Sequence, residues 1–273
     1  MSATTSKFAG LPGFEMRAAA PRAALLIVHG LAEHADRYRP HALELAVRGI
    51  STFAFDQRGH GATPGSRTHI GHFQQFGDDL GHIVHELHAR EPSLPLFIWG
   101  HSMGSMVLAT VAQALPIRGA IFSSCSLEVF RDGPNPLHPV FRCLSRLVPR
   151  VRVPLFLDAT KISSDPSVQQ AYAKDPRIPG TASLRLVVEF AKACEQVRAM
   201  TPSIQLPCLV LHGELDAIAP VLGGQQFFDA LGSNDKQLEI FAGQRHEVHN
   251  EAAPMRERFL DTLATWALQR AGT

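Results

Sequence analysis

Strand-sized apolar runs alternate along this chain with helix-like stretches, and this alternation is the strongest constraint on the fold. The apolar runs cover residues 24–28, 50–55, 95–99, 118–122, 208–211 and 237–241. The helix-like stretches cover residues 40–48, 73–90, 102–115, 222–231 and 253–270. Strands that are apolar on both faces belong to a sheet covered on both sides by helices. We therefore predict an α/β fold with a mostly parallel central sheet flanked by helices, and a short antiparallel strand near residues 14–18.

The composition agrees with a folded protein and narrows the classes of function. Of the 273 residues, 45% are apolar and 19% are charged, which is typical of a globular chain. A net charge of +1 gives no reason to expect a nucleic-acid partner. The apolar runs are too short to span a bilayer, and residues 1–10 lack the features of a secretion signal. The four scattered cysteines favour buried free thiols, so we expect a cytoplasmic location.

The alternation breaks between residues 126 and 206, in a segment rich in proline and arginine. This segment has no clear strand, and its helix-like pieces cover residues 140–147, 167–173 and 183–200. We predict that residues 126–206 form a cap inserted over the carboxyl edge of the sheet, between core segments 1–125 and 207–273. Two further strand–helix units are the alternative interpretation.

The predicted cap also carries apolar side chains that we expect to be exposed. They include Leu144, Val148, Leu155, Phe156 and Leu157. An exposed apolar rim of this kind favours an acyl chain as ligand and predicts transient contact with membranes.

A Gly-x-Ser-x-Gly motif follows the third apolar run, in the segment Gly100-His101-Ser102-Met103-Gly104. A strand, this motif and then a helix are the context in which the serine is a nucleophile on a strained turn. The helix after the turn also places its positive N-terminal end beside the serine. An ordinary helix start capped by serine is the alternative, and the strand before the motif favours the nucleophile.

A serine nucleophile needs a histidine to accept its proton and an acid to orient that histidine. Asp216 follows the apolar run 208–211, and His246 follows the run 237–241. Both residues therefore lie beyond carboxyl ends of parallel strands, where ligands bind in such sheets. The order Ser102, Asp216, His246 is that of the α/β-hydrolases. Glu214 is the rival acid and His249 is the rival base.

Acyl transfer also requires two hydrogen-bond donors for the developing oxyanion. Met103 follows the nucleophile, so its backbone N–H is the first candidate. The second candidate is the backbone N–H of Leu31, since His29-Gly30-Leu31 follows the first core strand.

At this point the chain resembles the monoacylglycerol lipase group of the α/β-hydrolases over nearly its whole length. The matching residues in the first half are His29 to His34, Arg37-Tyr38, Asp56, Gly59-His60-Gly61, Gly65, Arg67, Phe73, Phe76, Asp79-Leu80 and Gly100 to Gly104. Those in the second half are Ser164-Asp165-Pro166, Tyr172, Asp175-Pro176, Leu211-His212-Gly213, Asp216, Gly243, His246-Glu247 and Asn250-Glu251. The chain departs from the family at Ser105, where a second glycine is usual, and at Thr63, where serine is usual.

The resemblance implies an α/β-hydrolase fold with a short mobile cap and roles for three further residues. It places Glu33 and Arg37 near the polar end of an acyl tunnel, where they could orient a glycerol headgroup. A structural ion pair that anchors the oxyanion loop is the alternative role for these two. Tyr172 either faces the headgroup or packs within the cap.

The sequence thus predicts a serine hydrolase that cleaves lipid esters, with monoacylglycerol as the favoured substrate. Ser102 attacks the ester, His246 moves the protons and Asp216 orients His246, so neither a metal ion nor an organic cofactor is required. Lysophospholipase, short-chain carboxylesterase and acyltransferase activities share these parts and remain alternatives. A non-catalytic binding protein of the same fold is a more distant alternative, because all three triad residues are present.

Overall fold

The structure is a computed structural model that describes residues 3–155 and 157–272, and these residues contain the mostly parallel sheet that the sequence predicts. Phe156, one of the predicted rim residues, lies outside the described residues. The strands are β1 Thr4–Phe8, β2 Leu11–Met16, β3 Ala23–Val28, β4 Ile50–Phe55, β5 Leu96–His101, β6 Gly119–Ser123, β7 Arg152–Pro154, β8 Thr181–Ser183, β9 Cys208–Gly213 and β10 Lys236–Phe241. The helices are α1 Arg39–Val47, α2 Gln74–Arg90, α3 Met103–Val111, α4 Pro139–Leu147, α5 Pro166–Lys174, α6 Leu184–Met200, α7 Val221–Ala230 and α8 Met255–Ala271.

The central sheet has the strand order β1-β2-β4-β3-β5-β6-β9-β10. The six strands from β4 to β10 in this order are parallel, whereas β2 pairs antiparallel with both β1 and β4. The parallel strands are those that the apolar runs predict, and β2 is the predicted antiparallel strand. The sequence did not predict β1, because this edge strand is largely polar and exposed and so lacks an apolar signature.

Two hydrophobic cores cover the two faces of the sheet. One contains side chains from α2, α3, α6 and α7. The other contains side chains from α1 and α8 and surrounds Trp99. Strands β3, β4, β5, β6 and β9 are buried throughout, which explains why they read as continuous apolar runs.

Between β6 and β9 the chain forms helices α4, α5 and α6 and the two short strands β7 and β8. These strands pair with each other, and within the described residues neither joins the central sheet, unlike the two strand–helix units of the alternative interpretation. Helix α6 buries Leu186, Phe190 and Val197 in the core that covers the sheet. Helices α4 and α5, in contrast, contribute no side chain to either core among the described residues.

The cysteines depart in one respect from the expectation of buried thiols. All four are free, and Cys125, Cys194 and Cys208 are buried. Cys143, however, is exposed, because it lies on a side of α4 that no other element covers. Among the described helices, none has the length and apolarity needed to cross a bilayer.

Candidate active site

Ser102 stands at a sharp turn between β5 and α3. Its backbone has φ 52° and ψ −119°, a left-handed conformation that is strained for a residue with a side chain. The flanking glycines make the turn possible, since a Cβ on Gly100 would lie 2.5 Å from the carbonyl oxygen of Gly104. A Cβ on Gly104 would in turn overlap the carbonyl oxygen of Val28 on β3. The strained turn holds the Ser102 hydroxyl above the carboxyl edge of the sheet.

Three loops at this edge bring Ser102, His246 and Asp216 into one hydrogen-bonded chain. The Ser102 Oγ lies 3.1 Å from the His246 Nε2, and the His246 Nδ1 lies 2.7 Å from the Asp216 Oδ2. The Asp216 Oδ1 accepts from the backbone N–H groups of Ile218 at 2.9 Å and Ala219 at 2.8 Å. The carboxylate is thus fixed on one side by the backbone and on the other by the imidazole.

The charges of these three hydrogen-bonded residues suit proton transfer from a serine. Burial by itself disfavours protonated His246. This effect is outweighed by the Asp216 carboxylate, by its hydrogen bond to His246 and by the carboxylates of Glu247 and Glu33. The pKa of His246 is therefore raised above 6.5. Burial also opposes ionised Asp216, yet interactions with His246 and His212 hold the pKa of Asp216 well below 3.8. A basic imidazole therefore rests against an ionised acid.

The two rival residues lie in other environments. Glu214 is exposed and accepts a hydrogen bond from the backbone N–H of Gly243 at 2.8 Å. His249 is buried, and its ring stacks on Tyr38 with centroids 5.4 Å apart. Neither nitrogen of His249 has a hydrogen-bond partner among the described residues, so the structure does not connect it to Ser102.

The two predicted oxyanion donors flank the nucleophile. Met103 is the first residue of α3, so its N–H has no acceptor within the helix. Gly30 precedes Leu31, and a Cβ on Gly30 would be 3.1 Å from the Ser102 Cβ. The Leu31 loop therefore lies against Ser102. No acceptor among the described residues engages the N–H of Leu31.

Glu33 and Arg37 belong to a buried network that holds the Leu31 loop. The Glu33 carboxylate accepts from the N–H of Gly30, from the Tyr38 hydroxyl at 3.1 Å and from Arg37 at 2.8 Å. Arg37 also donates two bonds of 2.6 Å to Glu247. Burial alone would raise the pKa of both carboxyl groups, but the Arg37 charge together with His101 and the other neighbouring groups outweighs it, lowering the pKa of Glu33 and bringing that of Glu247 to about 2. These contacts favour the structural role over headgroup binding.

Tyr172 of α5 forms part of the wall of the site. Its hydroxyl donates to the carbonyl oxygen of Ala32 at 3.4 Å, and the Arg37 guanidinium lies 5.0 Å from its ring centroid. Tyr172 thus packs on the Leu31 loop and also borders the cavity at Ser102. That cavity is lined by Gly30, Leu31, Glu33, His101, Ser102, Val129, Leu157, Ile162, Tyr172, Phe190, Ile218, His246 and Glu247.

The cavity at Ser102 has a volume of about 50 Å³. Pockets that enclose organic ligands commonly measure ~300–1,000 Å³, so the conformation described is a closed one. A larger groove of about 580 Å³ between β10 and α8 contains none of the candidate site residues. The hydrogen bonds that join Ser102, His246 and Asp216, and not the cavity size, therefore mark the candidate site.

Residues 126–206 make several contacts with the loops around this cavity. His34 and Asp175 lie 2.9 Å apart, and the Glu247 N–H donates to the carbonyl oxygen of Ile162 at 2.7 Å. On the far side, the Ser183 N–H donates to the carbonyl oxygen of Thr68 at 3.0 Å. Residues 126–206 are thus attached to the loops that carry Leu31 and His246.

The structure adds two residues that the sequence did not point to as part of the site. The Ser126 Oγ lies 3.3 Å from the Ser102 Oγ, and the His212 Nε2 lies 3.2 Å from the Asp216 Oδ2. Ser126 lies in the turn that follows β6, and His212 lies near the end of β9, four residues before Asp216. Across residues 3–155 and 157–272, no group of three or more His, Cys, Asp or Glu side chains could hold a metal ion.

Comparison with known proteins finds a family and relatives that match most of this chain. The serine aminopeptidase S33 family matches residues 19–253 of the chain. A monoacylglycerol lipase from Mycolicibacterium smegmatis is 32% identical over 254 residues, which cover 90% of this chain and 88% of the relative.

Two solved structures extend the similarity to the fold. The monoacylglycerol lipase of Paleococcus ferrophilus superposes with a TM-score of 0.82 at 26% identity, covering 99% of this chain and 100% of that one. A carboxyl esterase from Bacillus coagulans, solved in complex with glycerol, gives a TM-score of 0.81 at 22% identity, with 99% of each chain covered. The predicted α/β-hydrolase fold is thereby confirmed.

Proposed function

Because the chain belongs to the serine aminopeptidase S33 family and to the monoacylglycerol lipases, we propose that it hydrolyses monoacylglycerols to a fatty acid and glycerol. The family resemblance drawn from its motifs is confirmed, and the protein is a serine ester hydrolase. The observation that carries the proposal is the chain of hydrogen bonds from Ser102 through His246 to Asp216.

Acylation begins at the Ser102 hydroxyl. His246 Nε2 accepts the hydroxyl proton as the oxygen attacks the ester carbonyl, and Asp216 stabilises the imidazolium that forms. The backbone N–H groups of Leu31 and Met103 donate to the oxyanion of the tetrahedral intermediate. His246 then protonates the departing glycerol oxygen, which leaves the acyl group on Ser102.

Deacylation reverses these roles with water as the nucleophile. His246 removes a proton from water, the resulting hydroxide attacks the acyl-enzyme, and the oxyanion again lies against the Leu31 and Met103 N–H groups. Collapse of this intermediate returns the proton to Ser102 and releases the fatty acid. An acyltransferase would differ only in using a second alcohol in place of water.

The lining of the cavity supports a long acyl group. Val129, Leu157, Ile162, Phe190 and Ile218 contribute apolar side chains beside Ser102. A volume of about 50 Å³ cannot hold such a group, so the cap must move away from the core before substrate enters. We propose that the segment around α4 and α5 makes this movement, since it packs least against the sheet.

Hydrolysis of three ester classes tests the proposed substrate. A monoacylglycerol, a lysophospholipid and a short-chain p-nitrophenyl ester should be supplied to the purified protein, with Ser102→Ala as the blank. We expect the highest kcat/KM on the monoacylglycerol. Preference for the lysophospholipid or the short ester would replace this proposal with one of those activities. Parent protein that a fluorophosphonate fails to label would favour the non-catalytic alternative.

We also propose that α4 docks the protein on a lipid surface. Five exposed apolar side chains recur along α4 and the turn after it at helical spacing, namely Val140, Leu144, Leu147, Val148 and Val151. Arg142, Arg146 and Arg150 are exposed beside them, and the sequence has no acidic residue between Asp132 and Asp158. A basic amphipathic helix binds best to membranes that contain anionic lipids. We place this docking at a cytoplasmic membrane surface, because buried free thiols suit a reducing compartment.

Vesicle binding tests the docking surface. We expect the protein to bind phosphatidylcholine vesicles more tightly when phosphatidylglycerol is included, and less tightly as salt is added. Leu147→Gln should weaken binding, whereas Val47→Gln on α1, which changes an equally exposed side chain, should not. Equal binding by both variants, or no binding to either vesicle, would refute docking through α4.

A further inference from the structure

We propose that His212 is a positioning residue, whose Nε2–H lies against the Asp216 oxygen that binds His246. The inference rests on the proposed Ser102–His246–Asp216 mechanism and adds a fourth residue to it. His212 lies near the end of β9, four residues before Asp216, and its side chain is fully buried.

The contacts of His212 determine which ring nitrogen carries the proton. Its Nε2 lies 2.8 Å from the carbonyl oxygen of Ala219 and 3.2 Å from the Asp216 Oδ2. Both oxygens are acceptors, so Nε2 must be the protonated nitrogen. The Nδ1 is buried and has no hydrogen-bond partner among the described residues. His212 thus donates its Nε2–H to the Ala219 oxygen, and the Asp216 carboxylate lies 3.2 Å from the same nitrogen.

Helix α7 is shaped to accept this ring. A Cβ at Gly224 would overlap the His212 Nδ1 and lie 3.1 Å from its Cε1. Glycine is a poor helix former, yet it occupies an interior position of α7. The missing side chain makes room for the His212 ring in the orientation that reaches Asp216.

With His212 in place, four donors surround the Asp216 carboxylate. Two backbone N–H groups bind Oδ1, whereas His246 binds Oδ2 and shares it with the Nε2–H of His212, which lies 3.2 Å away and also hydrogen-bonds the Ala219 carbonyl oxygen. Sharing spreads the negative charge of Oδ2 over two donors and limits how strongly it favours protonated His246. Loss of the His212 donor concentrates that charge on His246.

The other groups around His246 do not depend on His212. The carboxylates of Glu247 and Glu33 favour its protonated form, and the His101 ring lies 5.0 Å from its ring. Because these groups stay in place, a change at His212 reaches His246 through Asp216. The base must be neutral to act, so the acid limb of the pH–activity profile reports this effect.

A pair of variants with nearly the same shape isolates the donor. His212→Gln keeps an N–H group at the end of the side chain, and His212→Met removes it. We expect His212→Met to move the acid limb of kcat/KM to higher pH by about one unit, a tenfold change in the protonation equilibrium. His212→Gln should stay near the parent profile, and Gly224→Ala, which displaces the ring, should shift the limb in the same direction as His212→Met.

Fluorophosphonate labelling of Ser102, measured across the same pH range, gives a readout that does not depend on the natural substrate. Folded His212→Met and Gly224→Ala proteins whose labelling and activity profiles match the parent would overturn the role of His212. The same holds if His212→Gln and His212→Met shift alike. Absence of labelling in the parent protein would overturn the proposed mechanism itself, which separates the two failures.

Discussion

The guanidinium of Arg37 and the carboxylate of Glu247 form two hydrogen bonds of 2.6 Å within the protein interior. Arg37 follows the loop that carries Leu31, and Glu247 is the residue after His246. This ion pair therefore joins the loop of the proposed oxyanion donor, Leu31, to the loop of the proposed base, His246. A third member, Glu33, binds both Arg37 and the N–H of Gly30.

Removal of the Arg37 charge should destabilise the protein. Arg37→Met leaves the carboxylates of Glu33 and Glu247 buried without a counter-charge, and we expect a loss of about 3–5 kcal/mol in the free energy of unfolding. Urea denaturation measures this loss. Arg39→Met is the control, because its partner Asp36 is 41% exposed and such pairs contribute about 1 kcal/mol or less. Equal losses in the two variants would contradict the role of the network.

The acid of the triad can be tested against its neighbour in sequence. Asp216→Asn removes the charge that orients and stabilises protonated His246, so we expect kcat/KM to fall by about 10⁴-fold. Glu214→Gln should retain nearly all activity, since Glu214 contacts the N–H of Gly243 and not His246. The reverse result would make Glu214 the acid.

The pH dependence follows from the raised pKa of His246. The neutral imidazole is the active base, so kcat/KM should rise with pH through this pKa, and the midpoint of the acid limb should lie above 6.5. Initial rates on a soluble ester give the profile. An acid limb centred below 6.5 would show that Asp216 and the nearby carboxylates do not outweigh burial.

The Leu31 loop should tolerate no side chain at Gly30. A Cβ there would lie 2.8 Å from the Glu33 Oε1 and 3.1 Å from the Ser102 Cβ, so Gly30→Ala should displace the oxyanion donor. We expect a loss of about 10²–10³-fold in kcat, the effect of removing one such donor. Gly81→Ala on α2 is the control, because its Cβ would meet no atom within 4 Å. Full activity in Gly30→Ala would argue against Leu31 as a donor.

Buried histidines should make the protein sensitive to acid. Burial lowers the pKa of His41 and His101 to about 4 and that of His60 to about 3, so the folded chain binds fewer protons than the unfolded chain below pH 6.5. Stability from these groups is complete above pH 6.5 and is lost as the pH falls toward 4, by about 1.4 kcal/mol per histidine and pH unit. The raised pKa of His246 acts in the opposite direction, but it is one group against three, so the net free energy of unfolding still falls with decreasing pH.

Urea denaturation between pH 7.5 and 5 measures this loss. His60→Gln should make the dependence on pH less steep, whereas His88→Gln, at the exposed end of α2, should leave the slope unchanged. A free energy of unfolding that is constant across this range would rule out the effect.

Local signals account for most of what the sequence predicted correctly. The parallel strands are buried on both faces and so appear as apolar runs, and the turn at Ser102 needs glycine on both sides. Strands β1, β7 and β8 gave no such signal, because β1 is largely polar and exposed and β7 and β8 are only three residues long. Cys143 was expected to be buried, but burial of one face of α4 depends on whether another element packs against it.

By itself, the sequence determined the order of the elements, the strained position of Ser102 and the loops in which Asp216 and His246 lie. These features follow from hydrophobic patterning and backbone sterics over a few residues. Only the tertiary structure decided that Glu33 and Arg37 are saturated by Gly30, Tyr38 and Glu247, that Ser126 lies beside Ser102, and that His212 reaches Asp216. Hydrogen bonds between segments up to 210 residues apart depend on distances that exist only once the sheet has aligned its strand ends.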